Sequence, residues 1–131
     1  MTVFVDTSAL FALIAANDPF HVDAGKTFAQ LIDDQVDMVT SNYVLVETTA
    51  LVQSRIGMDA VRVLENDIRP SMQVVWIDRE LHELGWAALI AANRRQLSLV
   101  DLTSFAIMHQ RGIDEVFTFD EHFAEQGFTV V

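Results

Sequence analysis

The chain has 131 residues, of which 51% are apolar, 19 are acidic and 8 are lysine or arginine, so its formal net charge is −11. This length suits one domain with a proper core, and the apolar fraction excludes a disordered chain. The absence of cysteine excludes a disulfide framework and a thiolate metal site. Because neither a signal peptide nor a membrane-spanning stretch can be read, we expect a cytoplasmic protein.

Apolar runs typical of strands alternate with helical patterns from one end of the chain to the other. This alternation predicts an α/β fold, with one domain over residues 1–131 and a mostly parallel central sheet flanked by helices. The predicted strands are Thr2–Val5, Met38–Thr40, Gln73–Ile77, Glu115–Phe119 and Phe128–Val131. The predicted helices cover roughly residues 7–16, 21–33, 42–56, 58–69, 79–93 and 101–111, with a short helical turn before the last strand.

Residue types that cap or end helices support these boundaries. Ser41 or Asn42 is expected to cap the third helix, and Asp78 the fifth. Gly57 and Gly112 are expected just after helix C-termini. The pattern predicts the elements but does not fix the order of the strands in the sheet.

Four acids stand in settings that are otherwise apolar or rich in hydroxyl groups: Asp6, Glu47, Asp101 and Asp120. Asp6 and Asp120 each follow an apolar strand, Asp101 is expected to begin a helix, and Glu47 interrupts an apolar helix. A carboxylate beside a buried segment is costly unless it is paired, hydrogen-bonded or bound to a metal. Because basic residues are few, a divalent-metal site is the economical explanation.

The expected topology gathers these acids at one place. In an open parallel sheet, every turn from strand to helix lies at the same edge, where ligands bind. Two carboxylates about 4 Å apart repel by about 4 kcal/mol at an effective dielectric constant of 20, so the cluster would take up protons or a cation. Hard oxygen ligands favour Mg²⁺ or Mn²⁺ over zinc. Such a site suits phosphodiester hydrolysis, with Asp6 and Asp101 as direct ligands, and Glu47 and Asp120 completing it directly or through water.

Hydroxyl side chains near the acids are candidates for supporting roles. Thr7, Ser104 and Thr118 are placed to hold carboxylates or coordinated water, although local backbone bonding at helix ends explains them equally well. The acids themselves have structural alternatives. An aspartate at a helix start is a good N-cap, worth about 1 kcal/mol. For Glu47, which lies within a helix, the alternative is a buried ion pair with an arginine.

The acidity of the chain opposes long-range attraction to a polyanion. If the substrate is RNA, its binding must therefore be local. Arg94 and Arg95 lie shortly before Asp101 and are candidates for contact with phosphate or with an acidic partner peptide. A solvated helix surface is the simpler interpretation of either arginine alone.

The segments around the four acids form a familiar series. They are Val5-Asp6-Thr7-Ser8-Ala9-Leu10, Val44-Leu45-Val46-Glu47-Thr48, Ser98-Leu99-Val100-Asp101 with Ser104-Phe105-Ala106, and Phe117-Thr118-Phe119-Asp120-Glu121-His122-Phe123. Together they resemble the PIN-domain family, and within it the VapC-type toxins of bacterial and archaeal toxin–antitoxin pairs. The resemblance spans the whole chain and keeps the order of the family.

The resemblance implies a PIN-like domain and an Mg²⁺- or Mn²⁺-dependent endoribonuclease, the toxin of a type II pair, which cuts cellular RNA and slows growth. It assigns the acidic quartet to Asp6, Glu47, Asp101 and Asp120, with supporting hydroxyls at Thr7, Ser104 and Thr118. It also implies a homodimer that a VapB-type antitoxin inhibits. The alternative from another class is a PIN-like binding protein that has lost catalysis and acts only through its partner.

Overall fold

The computed structural model describes all 131 residues, which form seven helices and five strands. The strands are β1 (Thr2–Val5), β2 (Asp37–Ser41), β3 (Met72–Val75), β4 (Glu115–Phe117) and β5 (Thr129–Val130). The helices are α1 (Thr7–Ile14), α2 (His21–Asp33), α3 (Asn42–Arg55), α4 (Met58–Val63), α5 (Arg79–Ala92), α6 (Leu99–Arg111) and α7 (His122–Glu125). None of the helices combines the length and the apolar character needed to cross a membrane.

Strand β1 lies at the centre of the sheet, whose order is β3-β2-β1-β4-β5. All four strand pairs are parallel, so the predicted fold class is confirmed. The chain proceeds from β1 outward through β2 to β3, and then crosses through α5 and α6 to the other side of β1. The strand order therefore reverses between β1 and β4. In open parallel sheets, the crevice at the carboxyl ends beside such a reversal is where ligands bind.

The core is built around the two strands that flank this reversal. Val3–Val5 have no exposed surface, although successive side chains in a strand point to opposite faces, so both faces of β1 are covered. Val116 and Phe117 of β4 are equally buried and lie in register with β1. The apolar core ends at the carboxyl edge of both strands, where Asp6 and Thr118 follow.

Several predicted helix ends are confirmed. The Ser41 hydroxyl caps α3 by accepting a hydrogen bond from the Val44 amide at 3.1 Å. Asp78 caps α5 in the same way, accepting from the Leu81 amide at 3.0 Å. Gly112 follows α6 with a φ of 64°, in the left-handed region that glycine adopts without steric cost.

The prediction that Asp101 begins α6 is wrong, because the helix starts earlier. Ser98 is the N-cap, and its hydroxyl accepts a hydrogen bond from the Asp101 amide at 3.1 Å. The Asp101 carboxylate in turn accepts from the Ser98 amide at 2.9 Å. These reciprocal bonds form a capping box, so Asp101 lies in the first turn of the helix and its side chain points back toward the helix start.

Two predicted strands end earlier than expected, because side chains bind the backbone beyond them. The Ile77 amide donates to the side-chain oxygen of Asn42 at 2.7 Å, and the Phe119 amide donates to the Ser8 hydroxyl at 2.9 Å. The predicted helix over 58–69 is regular only to Val63, after which a π-helical turn and a 3₁₀ turn lead into β3. The hydrogen bond from the Phe119 amide to the Ser8 hydroxyl places the end of β4 beside the start of α1.

Close packing of α5 on α6 depends on Gly85. A Cβ atom at this position would overlap with the Cγ2 methyl of Thr103 and lie 3.5 Å from the Thr103 Cα. The Thr103 hydroxyl donates to the carbonyls of Leu99 and Val100 at 2.8 and 3.0 Å, which fixes its rotamer, so the methyl cannot rotate away. The two helices therefore approach as closely as they do only with glycine at position 85.

We expect Gly85→Ala to destabilise the protein by up to about 2 kcal/mol, because an overpacking cost of about 1–3 kcal/mol is only partly offset by a gain of about 1 kcal/mol in helix propensity. Thermal unfolding followed by circular dichroism measures the change. Adding Thr103→Ser, which removes the methyl and keeps the hydroxyl, should restore the stability. Gly25→Ala on α2 is the matched control, because no atom lies within 4 Å of the added Cβ. A Gly85→Ala protein as stable as the Gly25→Ala protein would contradict this account.

Candidate metal centre

All four predicted acids line one cavity of about 320 Å³, at the carboxyl ends of β1 and β4. Asp6 follows β1, Asp120 follows β4 after two residues, Asp101 lies in the first turn of α6, and Glu47 lies within α3. The other lining residues are Thr7, Ser8, Phe11, Asp18, Phe20, Leu51, Arg55 and Phe119. The fold thus brings together acids that lie far apart in the sequence.

The Asp6 carboxylate is the most deeply placed of the four, with 3% of the residue exposed. The hydroxyls of Thr118 and Ser8 both donate to its Oδ2 atom, at 2.9 and 3.0 Å. Oδ2 also lies 3.4 Å from the Ser8 amide, so Asp6 is the N-cap of α1 as well. Capping and a role in the site are therefore compatible, because the capping oxygen leaves Oδ1 without a hydroxyl partner.

Asp101 and Asp120 are half-buried, and each carboxylate is likewise held through one oxygen. Asp101 accepts from the Ser98 amide through Oδ2, and Asp120 accepts from the His122 amide through Oδ1. A carboxylate oxygen of each and a ring nitrogen of His122 all lie within 4.8 Å of one another. This spacing is compatible with ligands that share one ion.

Glu47 is half-buried on α3, and no basic nitrogen lies within 4 Å of its carboxylate. The ion pair considered as its structural alternative is therefore absent. Glu47, Leu51 and Arg55 follow one another at intervals of four residues, and all three line the cavity. Glu47 thus contributes a carboxylate to the cavity wall that no cation of the chain neutralises.

The acids perturb one another electrostatically. Burial raises the pKa of Asp6 to about 6, the hydrogen bonds from Thr118 and Ser8 oppose this rise, and the charge of Asp101 adds to it. Burial also raises the pKa of Asp101, to which the charge of Asp120 contributes, while the bonds to Ser98 and the nearby His122 act in the opposite direction. The raised pKa values mean that the charged forms of these carboxylates are disfavoured without a cation, and a bound cation would stabilise them.

The hydroxyls predicted to support the acids have different positions. Thr118 contacts two of the acids, because its Oγ1 donates to Asp6 and accepts from the Asp120 amide at 2.9 Å. Thr7 lines the cavity, and its buried Oγ1 atom has no hydrogen-bond partner. Ser104 is fully buried, but its hydroxyl donates to the Val100 carbonyl at 2.7 Å, and the structure shows no bond from it to any of the four acids.

The two arginines singled out from the sequence lie outside the cavity lining. Arg94 is exposed, and its guanidinium group forms an ion pair with the Glu125 carboxylate at 3.2 Å. Arg95 is exposed and forms no ion pair. The arginine that does line the cavity is Arg55, which sequence reasoning did not single out.

Sequence reasoning also missed the roles of Ser8 and His122. The Ser8 hydroxyl contacts Asp6, Thr118 and the Phe119 amide, and so connects the ends of β1 and β4. The Nδ1 atom of His122 lies 2.9 Å from the Oδ1 atom of Asp120. The position of His122, two residues after Asp120, was the available signal in the sequence. No second histidine stands nearby at the spacing of a metal-binding pair, so the sequence alone did not indicate a ligand.

The PIN domain family model matches residues 3–128, so the chain belongs to the PIN-domain family. Over 98% of its length it is 37% identical to the 23S rRNA-specific endonuclease VapC20 of Mycobacterium tuberculosis, of which it covers 97%. The family and nuclease class predicted from the sequence are confirmed, as is the resemblance to VapC toxins.

Solved structures agree with this assignment. The crystal structure of Mycobacterium tuberculosis VapC20, described as a sarcin–ricin loop cleaving toxin, superposes with a TM-score of 0.85 at 33% identity, over 97% of this chain and 96% of that one. FitAcB from Neisseria gonorrhoeae superposes with a TM-score of 0.69 over 99% of this chain and 96% of that one. At 16% identity, the second match shows the shared fold alone.

Stability should depend on pH through Asp6. Its pKa in the folded protein, about 6, exceeds its ordinary value of 3.8, so protonation favours the fold. This stabilisation is complete below about pH 4 and is lost as the pH rises through about 6, at a cost of about 3 kcal/mol at neutral pH. We therefore expect Asp6→Asn to melt at a higher temperature than the parent protein at pH 8 in EDTA, and at nearly the same temperature at pH 4.

Thermal unfolding at both pH values measures this difference. Asp114→Asn is the control, because Asp114 is exposed and its carboxylate forms no ion pair with a base. A difference between Asp6→Asn and the parent protein that is the same at pH 4 and pH 8 would show that Asp6 is not the group responsible.

Proposed function

We propose that the chain is the toxin of a type II toxin–antitoxin pair, and that its acidic site hydrolyses RNA with the help of Mg²⁺ or Mn²⁺. The proposed substrate is 23S rRNA at the sarcin–ricin loop, by similarity to the Mycobacterium tuberculosis toxin, which matches over nearly its whole length. The observation that carries the proposal is the convergence of four carboxylates in one cavity where the strand order of the sheet reverses.

The residues present fit a divalent cation. Hydrogen bonds engage only one oxygen of each aspartate, Oδ2 in Asp6 and Asp101 and Oδ1 in Asp120, which leaves the other oxygen of each available. Hard oxygen donors of this kind are the ligands that Mg²⁺ and Mn²⁺ prefer. In addition, the buried and unpaired Oγ1 atom of Thr7 in the cavity wall is suited to binding coordinated water.

The proposed roles follow from how each side chain is held. Asp6 and Asp101 are direct ligands, because Thr118 and Ser8 fix the first and the capping box fixes the second. When bound, a divalent cation supplies positive charge for the phosphate oxygens and activates water. Glu47, which no cation neutralises, accepts a proton from the attacking water and orients it. Asp120 completes the site directly or through water.

His122 is a further candidate ligand for the cation, beside Asp101 and Asp120. Its Nδ1 atom is buried and makes no properly oriented hydrogen bond, although the Oδ1 atom of Asp120 is only 2.9 Å away. A ring nitrogen of His122 also lies within 4.8 Å of a carboxylate oxygen of Asp101 and one of Asp120, so it is placed to bind the same cation, and a nitrogen ligand favours Mn²⁺ over Mg²⁺.

We expect His122→Gln to weaken Mn²⁺ binding about tenfold and Mg²⁺ binding less, because the nitrogen ligand is lost. Isothermal titration with each metal measures the affinities, and electron spin-echo spectroscopy of bound Mn²⁺ detects coupling to nitrogen. The exposed His109, which lies outside the cavity, provides the control His109→Gln. Bound Mn²⁺ without nitrogen coupling in the parent protein would exclude His122 as a ligand.

The proposal extends to partners and location. A VapB-type antitoxin that covers the cavity, a homodimer and a cytoplasmic location all follow from the resemblance to VapC toxins, and the chain's lack of cysteine is compatible with a reducing compartment. Arg95 is the freer of the two surface arginines for contact with RNA or antitoxin, because Arg94 is engaged by Glu125.

A catalytically inactive binding protein is the rival from another class. We expect Asp6→Asn, Asp101→Asn and Glu47→Gln each to reduce cleavage of an RNA hairpin with the sarcin–ricin sequence by about 100-fold or more, because each removes a charge that catalysis requires. Gel analysis of the cleaved RNA, with Mg²⁺, with Mn²⁺ and with EDTA, measures the rate. Cleavage should disappear in EDTA.

Asp114→Asn serves as the control for the loss of a carboxylate away from the cavity. If the parent protein and the three variants cleave equally, the acidic site is not the catalytic one. If none of them cleaves any RNA while the parent protein still binds a VapB-type partner, the inactive binding protein is the correct reading.

A further inference from the structure

The cavity has a second wall whose chemistry differs from that of the acids. It contains three phenylalanines, a leucine and one arginine: Phe11, Phe20, Leu51, Arg55 and Phe119. Metal binding and hydrolysis, as proposed above, use none of these side chains. An apolar and aromatic wall directly beside a charged centre therefore requires its own explanation.

Arg55 is the only basic side chain that lines the cavity. It is exposed, and no carboxylate lies within 4 Å of its guanidinium group, whereas Arg62, Arg69 and Arg94 are each paired with an acid. The guanidinium carbon lies 5.5 Å from the centre of the Phe11 ring, which holds the group by a cation–π contact without neutralising it. Arg55 thus presents a free and positioned positive charge to a cavity occupant.

Phe20 and Phe119 form a flat aromatic surface at the same cavity. Their ring centres lie 4.6 Å apart and their planes differ by 10°, so the rings are stacked. Each is anchored through its backbone amide, Phe20 by the Asp18 carboxylate at 2.8 Å and Phe119 by the Ser8 hydroxyl at 2.9 Å. Phe20 remains 44% exposed, so part of the stack is open to solvent.

The stack is also next to the proposed chemistry, because Phe119 immediately precedes Asp120 in the chain. Bases of single-stranded RNA are commonly recognised by stacking on aromatic side chains. Arginine, with its planar array of donors, is suited to phosphate oxygens. A flat aromatic surface and one unpaired arginine, on the wall beside the carboxylates, match a nucleotide that flanks a phosphate at the metal centre.

We propose that Arg55 and the Phe20–Phe119 stack form the RNA subsite of this cavity, in which Arg55 binds a phosphate and Phe20 stacks on an unpaired base beside the scissile bond. The subsite rests on the proposed RNA-cleaving function. It also accounts for how a chain with a net charge of −11 binds a polyanion. Long-range attraction is absent, so local contacts carry the binding, and Arg55 and sequence-tolerant stacking supply them on this wall of the cavity.

The two contacts have different signatures, so one titration separates them. We would measure the affinity of a fluorescein-labelled RNA hairpin with the sarcin–ricin sequence by anisotropy, over a range of salt concentrations, with every variant made in the cleavage-deficient Asp6→Asn protein. Arg55→Gln should weaken binding and reduce the slope of log K against log salt by about 0.7, the value for one phosphate of a single strand. Arg55→Lys should keep most of the slope.

Phe20→Leu should weaken binding about tenfold with no change in the salt slope, because it keeps an apolar side chain and removes only the flat ring. Phe20→Trp should bind as well as the parent sequence. Arg111→Gln and Ile90→Ala are the matched controls. Arg111 lies beside Thr2 and Asp37 at the opposite edge of the sheet, and Ile90 is an exposed apolar residue of α5 outside the cavity.

Affinity and salt slope that stay unchanged in Arg55→Gln, or a change no larger than that of Arg111→Gln, would overturn the phosphate contact. Equal binding by Phe20→Leu and the unmodified background would overturn the stacking contact. Melting temperatures recorded for every variant identify a fall in affinity that comes from unfolding. Cleavage by the protein with Asp6 intact, measured in parallel, tests the proposed function separately, because the subsite can fail while that cleavage persists.

Discussion

The structure depends on a carboxylate that is buried at the end of the central strand. Asp6 follows three fully buried apolar residues, and the hydroxyls of Ser8 and Thr118, with a longer contact from the Ser8 amide, compensate for its removal from water. Because Ser8 lies in the first turn of α1, just after β1, and Thr118 directly follows β4, the bonds that satisfy Asp6 also hold the carboxyl ends of β1 and β4 together. The cost of burying the charge is thereby coupled to the alignment of the site.

The remaining acids reach the cavity through structural features that have their own local causes. A capping box directs Asp101 backward from α6, and a helical spacing of four residues turns Glu47 toward the same space as Leu51 and Arg55. Burial, with a smaller contribution from the neighbouring acids, raises the pKa values of Asp6 and Asp101, so keeping these carboxylates charged opposes folding at neutral pH. A cation that binds only the folded protein would offset this cost, as expected for a functional site whose residues destabilise the fold when no ligand is bound.

Local patterns were sufficient to predict the sheet class, the order of elements along the chain and the four acids that meet at the cavity, because each depends on periodicity or on an isolated charge in an apolar segment. The start of α6 differs from the prediction because serine and aspartate are both common N-caps, and only the structure shows that Ser98 is the N-cap and Asp101 its partner in the first turn. Ser104 was assigned to the site because of its distance in sequence from Asp101, but its hydroxyl faces its own helix backbone. Contacts between residues far apart in the sequence, such as those of Ser8 with Thr118 and Phe119 after β4, cannot be predicted from a local pattern.

In the capping box at the start of α6, the Asp101 side chain both caps the helix and lines the cavity. The carboxylate of Asp101 closes its own helix through the Ser98 amide with one oxygen and turns the other toward the cavity. The chain before α6 is therefore linked through this hydrogen bond to the proposed metal site, although Ser98 does not line the cavity. A change in the backbone before α6 would therefore alter the orientation of the Asp101 carboxylate as well as the start of the helix.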